Sequence, residues 1–361
     1  MSLQILFLFW LYFIAGRTNA LSCKDENNRD VDWFVAYKIP IQSGHGDIIK
    51  AGLGHIYLTS TNSSAWTFSK HSIGDNNSLI GNTLHDFYHN RTNLSYILYN
   101  DEPPNHPVSS TKGHTKGVVI SNSAGGYWLI HSVPKFPEVG NSYSYPSTGV
   151  KYGQTFLCIT MNVTNINAVG LQLQYNQPDI YLQQILSDIE TRVPDLARAA
   201  QNVTVKTAPF YHIAQIYSKK KVAFTSFAKH KKFNQELYED LVAPYLENDL
   251  VVETWPNGAG RLHSNCSREY KVNNIQKINM SVANVSFNTT SDHSKWAVSS
   301  NSSSSWSCVG DINRAQHQMV RGGGTVCIQN QKLSTNFHTL ISAVEECSKN
   351  ESIDIPTVLN V

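Results

Sequence analysis

Three places in this 361-residue chain carry a histidine and a lysine two residues apart: His114-Thr115-Lys116, His230-Lys231-Lys232 and His293-Ser294-Lys295. In an extended segment the side chains alternate with period two, so such a pair points to one face and can meet the same phosphate. The lysine supplies a fixed positive charge for the phosphoryl oxygens. The histidine can attack phosphorus or move a proton. Taken alone the spacing is weak. With 14 His and 20 Lys among 361 residues, chance gives about 0.8 occurrences on composition.

The residues downstream of each motif distinguish the three. After Lys116 comes the apolar run Gly117–Ile120, a Gly125-Gly126 turn, and Trp128-Leu129-Ile130-His131. After Lys295 come Trp296–Val298, the Ser-rich stretch Ser299–Ser305, and Gly310-Asp311-Ile312-Asn313. Both of these motifs thus lead into a strand and then to a further polar side chain, His131 in one case and Asn313 in the other. His230 lies in Lys229-His230-Lys231-Lys232 with no strand directly after it. It reads as a solvated basic face, with contact to a nucleic-acid backbone as the alternative. A lone histidine in an apolar strand, such as His131, is more often a satisfied core residue, and Asp311 and Asn313 can equally serve a turn. Gly322-Gly323-Gly324 is not a phosphate-binding P-loop, because no Gly-Lys-Ser/Thr comes after it. A metal site is not expected either: two cationic motifs repel a divalent ion and no carboxylate-rich constellation accompanies them.

The elements that must position these residues are short β-type runs: Trp33–Ile39, Tyr96–Tyr99, Gly117–Ile120, Tyr127–Ile130 and Thr155–Met161, then from near His212 Val222–Phe227, Trp296–Val298 and Thr325–Ile328. Helical spacing predicts helices through Ile185, Ile189, Val193 and Leu196, over Asn234–Leu246, and over Thr335–Cys347. Strands and helices mix throughout, which implies an α/β or α+β class. The matching clusters around His114 and His293 suggest a diverged internal repeat, with halves at about 21–170 and 171–361.

The composition, 41% hydrophobic and 16% charged, argues for a folded globular chain. Ile5–Gly16 is apolar but short for a membrane span, and small residues at Thr18 and Ala20 come after it. Residues 1–20 are therefore expected to be a cleaved signal peptide. No later stretch suits a membrane helix. Six cysteines (Cys23, Cys158, Cys266, Cys308, Cys327, Cys347) in an exported chain favour disulfides, although their count allows 15 pairings. Sequons at Asn62, Asn76, Asn90, Asn93, Asn162, Asn202, Asn265, Asn279, Asn284, Asn288, Asn301 and Asn350 point to a glycosylated surface. The formal charge is +2 with histidines neutral. Charging all 14 would give 2 + 14 = +16, so an acid compartment would make the chain a strong polycation suited to a polyanion such as nucleic acid, the alternative being that many surface histidines are incidental.

The second cluster resembles the phospholipase D superfamily pattern, H-x-K-x4-D and then G-S-x-N. Gly310-Asp311-Ile312-Asn313 matches its end except for Asp at the Ser position, and Ser121 and Ser300 stand where the pattern has Asp. Those departures, and longer stretches, are similar to the deoxyribonuclease II family nearly end to end from Leu21 to Cys347. The stretches include Val31–Val35, Leu98–Asp101, Gly113–Gly117, Trp128–Pro134, Tyr152–Thr155, Ser226–Lys229, Asp292–Trp296, Cys308–Asp311 and Arg321–Thr325. Many members carry Cys where this chain has Ala297.

The resemblance implies a phospholipase D-like fold of two similar α/β halves packed as a pseudo-twofold pair. It implies disulfides Cys23–Cys158, Cys266–Cys347 and Cys308–Cys327. The implied activity is acid, metal-independent, cofactor-free DNA endonucleolysis through a phosphohistidine, leaving 3′-phosphate ends. His114, Lys116, His293, Lys295, His131 and Asn313 would be catalytic, and Asp311 would contact substrate. Double-stranded DNA is the implied partner and the lysosome or the cell exterior the implied location; the oligomeric state stays open, a homodimer included. Two rivals are a phospholipid diesterase on the same scaffold and a non-catalytic secreted DNA-binding or effector protein.

Overall fold

A computed structural model describes residues 21–301 and 303–347. The expected signal peptide, Ser302 and the sequon at Asn350 lie outside the described residues. Two large sheets dominate. The first contains β1 (Trp33–Lys38), β2 (His55–Thr59), β3 (Asn62–Phe68), β4 (Ser95–Asn100), β5 (Lys116–Asn122), β6 (Gly125–His131), β7 (Gln154–Met161) and β8 (Ile180–Gln184), in the order β8-β4-β5-β6-β7-β1-β2-β3. The second contains β9 (Tyr211–Tyr217), β10 (Ala223–Lys229), β11 (Leu250–Glu253), β12 (Val272–Met280), β13 (Val285–Asn288), β14 (Trp296–Ser299), β15 (Trp306–Gly310), β16 (Gly323–Gln329) and β17 (Ile341–Val344). Its order is β9-β10-β16-β15-β14-β11-β12-β13, with β17 added to β12. The chain is thus of mixed α/β type.

The central strands are apolar on both faces because both faces are covered. Every residue of β1 and of β7 is buried. Between the sheets, Val35, Tyr37, Trp128 and Ile159 share one core with Val298, Val309, Val326 and Ile328, and the helix α2 (Val163–Asn176) adds Ile166, Val169 and Leu173 to it. The outer face of the first sheet packs Phe34, Leu98, Val118 and Ile120 on Leu79, Ile80, Leu84 and Phe87 of α1 (Leu79–Asn90). The outer face of the second packs Phe227, Val252 and Ala297 under Tyr238, Leu241 and Val242.

Every strand that the sequence predicts forms within a residue or two of its expected bounds. The helices differ. The segment predicted as one helix over Thr335–Cys347 is α4 (Gln331–His338), capped by Asn330, whose side chain accepts from Leu333 N at 3.0 Å. Ile341–Val344 leaves it to pair with β12, because Ile341 and Val344 meet the core there. The run through Leu196 breaks into Ser187–Glu190 and α3 (Pro194–Ala200), the proline opening the second piece where its missing N–H costs nothing. Asn234–Leu246 is helical only from Tyr238, through a π turn and then Ala243–Leu246. α2 is not predicted from the sequence, because its Asn and Gln residues hide its apolar face. Residue 171 lies inside it.

Three disulfides join Cys23–Cys158, Cys266–Cys347 and Cys308–Cys327, as the resemblance implied. Among the described residues no helix is long and apolar enough to cross a membrane.

Candidate active site

The His114 and His293 motifs each precede a strand of one sheet and are held by the other. The His114 backbone N–H donates to Gly322 O at 2.8 Å, and the Thr115 hydroxyl donates to the Asp311 carboxylate. In the opposite direction, the His293 backbone N–H donates to Gly153 O at 2.9 Å, and Lys295 N donates to Thr155 Oγ1 at 3.2 Å. This exchange of backbone contacts brings both motifs to the seam between the sheets. The receiving residues must be glycine. A Cβ on Gly322 would overlap the Asn176 carbonyl oxygen, and one on Gly153 would overlap the Asp292 carboxylate.

On the first side, the Lys116 ammonium is buried and donates to Asp101 Oδ1. Arg321 reaches Asp101 Oδ2 at 3.2 Å, and His114 Nε2 lies 3.7 Å from the same oxygen, an ion-pair distance rather than a hydrogen bond. Asp101 therefore gathers three cationic or titratable groups. The other imidazole nitrogen, Nδ1 of His114, is buried without a hydrogen-bond partner among the described residues. Burial pushes His114 well below the ordinary histidine range, and the charges of Lys116, Lys295 and Arg321 add to that.

On the second side, His293 Nδ1 faces two oxygens, Ser132 O at 3.0 Å and Gln154 Oε1 at 3.3 Å. These two acceptors favour the ring proton on Nδ1 and the lone pair on Nε2, against the pull of the Lys295 ammonium on the same nitrogen. Lys295 Nζ donates to His293 O at 2.6 Å and lies 3.1 Å from Nδ1. Burial holds His293 well below its ordinary value, and the charges of Lys295, Lys116 and His114 act in the same direction. Lys295 itself is depressed by burial and then by Lys116. The charges of the first motif are thus felt at the second across the seam.

His131, at the end of β6, is fully buried against Phe136 and Phe156. Its Nδ1 accepts from Val133 N at 3.2 Å, so the proton belongs on Nε2, which has no partner among the described residues. Burial and then Lys116 depress its pKa, leaving a neutral ring with a free N–H. Asp311 is raised to about 6, first by burial; it accepts from Thr115 and from Gly324 N at 3.0 Å. Asn313 joins neither motif by a hydrogen bond. Its carboxamide oxygen is buried without a partner among the described residues, in a crevice also lined by Gln318 and Lys229. His230 is not part of a solvated face as expected: it and Lys229 are buried, and of that run only Lys231 and Lys232 are exposed. The His230 Nδ1 accepts from Lys232 N at 3.0 Å, and the ring packs on Phe210.

The sequence assigns no role to Asp101, Arg321, Gln154 or Ser132. Asp101 and Arg321 lie in stretches that match the family, but 15 residues separate Asp101 from Lys116 and no local pattern ties the two. Arg321 reaches it only through the fold.

The arrangement can do phosphoryl transfer: lysine ammoniums for the nonbridging oxygens, one imidazole with a free lone pair, and a second imidazole beside a carboxylate. It is the chemistry of a phosphodiester-cleaving site. Comparison with known proteins agrees. A family model described as Deoxyribonuclease II matches residues 22–347. Plancitoxin-1 of Acanthaster planci is 37% identical over 341 residues, covering 93% of this chain and 95% of that protein. Deoxyribonuclease-2-alpha of Sus scrofa is 38% identical over 335 residues, covering 91% of each. Deoxyribonuclease-2 of Caenorhabditis elegans is 34% identical over 370 residues, covering 94% of this chain and 98% of that one. The chain belongs to the deoxyribonuclease II family, DNA-hydrolysing endonucleases.

Proposed function

We propose that this protein is an acid, metal-independent DNA endonuclease in which His293 is the nucleophile and His114 the general acid. The observation that carries the role assignment is the asymmetry of the two histidines. His293 has two amide oxygens at Nδ1, which favour a proton there and so a lone pair on Nε2. His114 has Asp101 beside it, a carboxylate that favours its protonated form. His293 Nε2 attacks phosphorus, the P–O5′ bond breaks, and His114 gives its proton to the departing O5′. The phosphoryl group is then carried by His293 and still bears the 3′-oxygen. A water attacks it, losing a proton to His114, and the P–N bond breaks. Neutral His293 and a 3′-phosphate end remain. Lys116 and Lys295 supply the charge stabilisation, and His131 Nε2–H and Asn313 can donate to nonbridging oxygens. Asp311 would contact substrate through Thr115.

An acidic optimum results from the depressed His114. Burial and three cations lower its pKa well below the ordinary histidine range. Low pH together with the entering phosphodiester anion restores its proton. Support for the phospholipase D-like pair of halves comes from matching five-strand successions, β4-β5-β6-β7-β1 and β11-β14-β15-β16-β10, in each of which the last strand comes first in the chain. The motifs lead into the second strand of each, β5 and β14. We place the protein in lysosomes or outside the cell. The described sequon asparagines are exposed except Asn265, which is half-buried, a surface that can carry glycans. DNA is the substrate class, as the relatives' names indicate for them.

A plasmid-nicking assay at pH 5 with EDTA tests the reading. Cleavage to 3′-phosphate ends is expected; abolition by EDTA with rescue by Mg²⁺ would overturn the mechanism. Cleavage of phospholipid but not DNA would favour the phospholipid diesterase, and DNA binding without cleavage a non-catalytic effector.

A further inference from the structure

The strands that lead up to the two motifs end differently. Gly117, the residue after Lys116, pairs with Tyr99, and Asp101 lies two residues beyond Tyr99. Trp296, the residue after Lys295, pairs with Glu253, and Trp255 lies two residues beyond Glu253. One position in the sheet register therefore carries a carboxylate beside His114 and an indole beside His293. The Trp255 ring centroid is 5.3 Å from that of His293, with the planes at 66°. Its other neighbour is Tyr152, at 4.6 Å and 73°. The exposed Lys151 ammonium lies 4.9 Å from the Tyr152 ring centroid. Trp255, Tyr152 and His293 are all half-buried. An aromatic surface is left partly in water at the edge of a buried polar site, and the chemistry described so far makes no use of it.

We propose that Trp255, backed by Tyr152 and flanked by Lys151, is the subsite for the nucleoside that stays attached to the phosphoryl group during the covalent step. This rests on the reading of His293 as nucleophile. In an in-line displacement the leaving oxygen departs on the side opposite the attacking nitrogen. The 5′-linked nucleoside thus leaves toward His114, and the nucleoside held through its 3′-oxygen remains next to His293. The only large aromatic surface touching the His293 ring is Trp255, among the described residues. Aromatic faces hold nucleosides without regard to sequence, since every base and sugar offers a face to pack. Lys151 is placed for the next phosphate along the retained strand, where a point charge adds to backbone affinity.

Two chromogenic diesters separate this role from mere packing: thymidine 3′-(4-nitrophenyl phosphate), which keeps the retained nucleoside, and methyl 4-nitrophenyl phosphate, which has none. The ratio of their kcat/KM values reads the subsite alone. Trp255→Ala is expected to lower that ratio about tenfold, within the range for losing one aromatic stack. Trp255→Leu keeps apolar bulk against His293 and is expected to lower it similarly, and Trp255→Phe to restore most of it. Lys151→Ala should reduce the slope of log KM for DNA against log salt by about 1. An unchanged ratio in Trp255→Leu, whether both substrates slow equally or neither does, overturns the proposal. Wild-type protein inert on DNA would instead sink the nuclease reading itself.

Discussion

Replacing Asp101 by Asn keeps the shape of the side chain and removes one negative charge from between Lys116, Arg321 and His114. At 3.7 Å and an effective dielectric constant of ~20, the attraction between a protonated His114 and Asp101 is about 4 kcal/mol. That is an upper figure, because Lys116 and Arg321 draw on the same carboxylate. Carboxylate neighbours at this range move a titration by roughly 1–3 units. The expected result in Asp101→Asn is a kcat/KM profile displaced toward acid by about 1 unit or more, with turnover at pH 5 down at least ~10-fold. Stability should also fall, by about 3–5 kcal/mol, because the buried Lys116 and the half-buried Arg321 lose their counter-charge. Arg321→Gln supplies the opposite sign. It removes a charge that depresses His114, so its profile should move toward neutral pH. The assay is initial-rate DNA cleavage from pH 3.5 to 7 with thermal unfolding in parallel. Profiles of both variants that overlay the wild type on the pH axis, whatever their height, would refute the pairing of Asp101 with His114.

Glu253 is buried without a hydrogen-bond partner among the described residues, and burial, then Asp292, pushes its carboxyl well above the ordinary range. A raised carboxyl contributes no penalty while protonated and costs stability as pH rises past the unfolded value near ~4.3. Glu253→Gln should therefore stabilise the protein at pH 7 and leave it nearly unchanged at pH 4, measured by urea unfolding. The depressed histidines act with the other sign, since stability is lost as pH falls below the unfolded value of ~6.5; bound DNA should offset that loss in a melting experiment at pH 5. His114→Ala and His293→Ala should each lower turnover by orders of magnitude, with the double variant little worse, because groups acting as a unit are non-additive; His230→Ala should leave turnover nearly intact. Gly153→Ala, which drives a methyl into the Asp292 carboxylate, should displace His293 and abolish turnover in soluble, folded protein.

The strands were legible because β1, β5, β6 and β7 are continuous apolar runs bounded by Gly, Pro and Asn, a pattern set by burial on both faces. The two motifs were legible because strand alternation ties His to Lys within three residues. The parts that escaped are nonlocal. Asp101 is joined to Lys116 by pairing of adjacent strands, and Arg321 reaches it across the seam. Trp255 reads locally as one aromatic residue before a proline, and only the register of β11 on β14 gives it the place of Asp101. The helix endings were misjudged where tertiary pairing overrides periodicity, as when Ile341–Val344 leaves the helical pattern to join β12. α2 was missed because polar Asn and Gln side chains make its own contacts, such as Gln172 Nε2 donating to Ser226 O at 3.2 Å.

The mechanism stands on His293 carrying the phosphoryl group. A single-turnover reaction at pH 5 with thymidine 3′-(4-nitrophenyl [³²P]phosphate) tests this directly. The aryl leaving group needs little protonation, so His114→Ala protein should form the covalent intermediate and resolve it slowly. Alkaline quenching preserves phosphohistidine for peptide mapping. The predicted result is label on the peptide bearing His293, enriched in His114→Ala and absent from His293→Ala. Label on His114, or covalent label in His293→Ala protein, would contradict it.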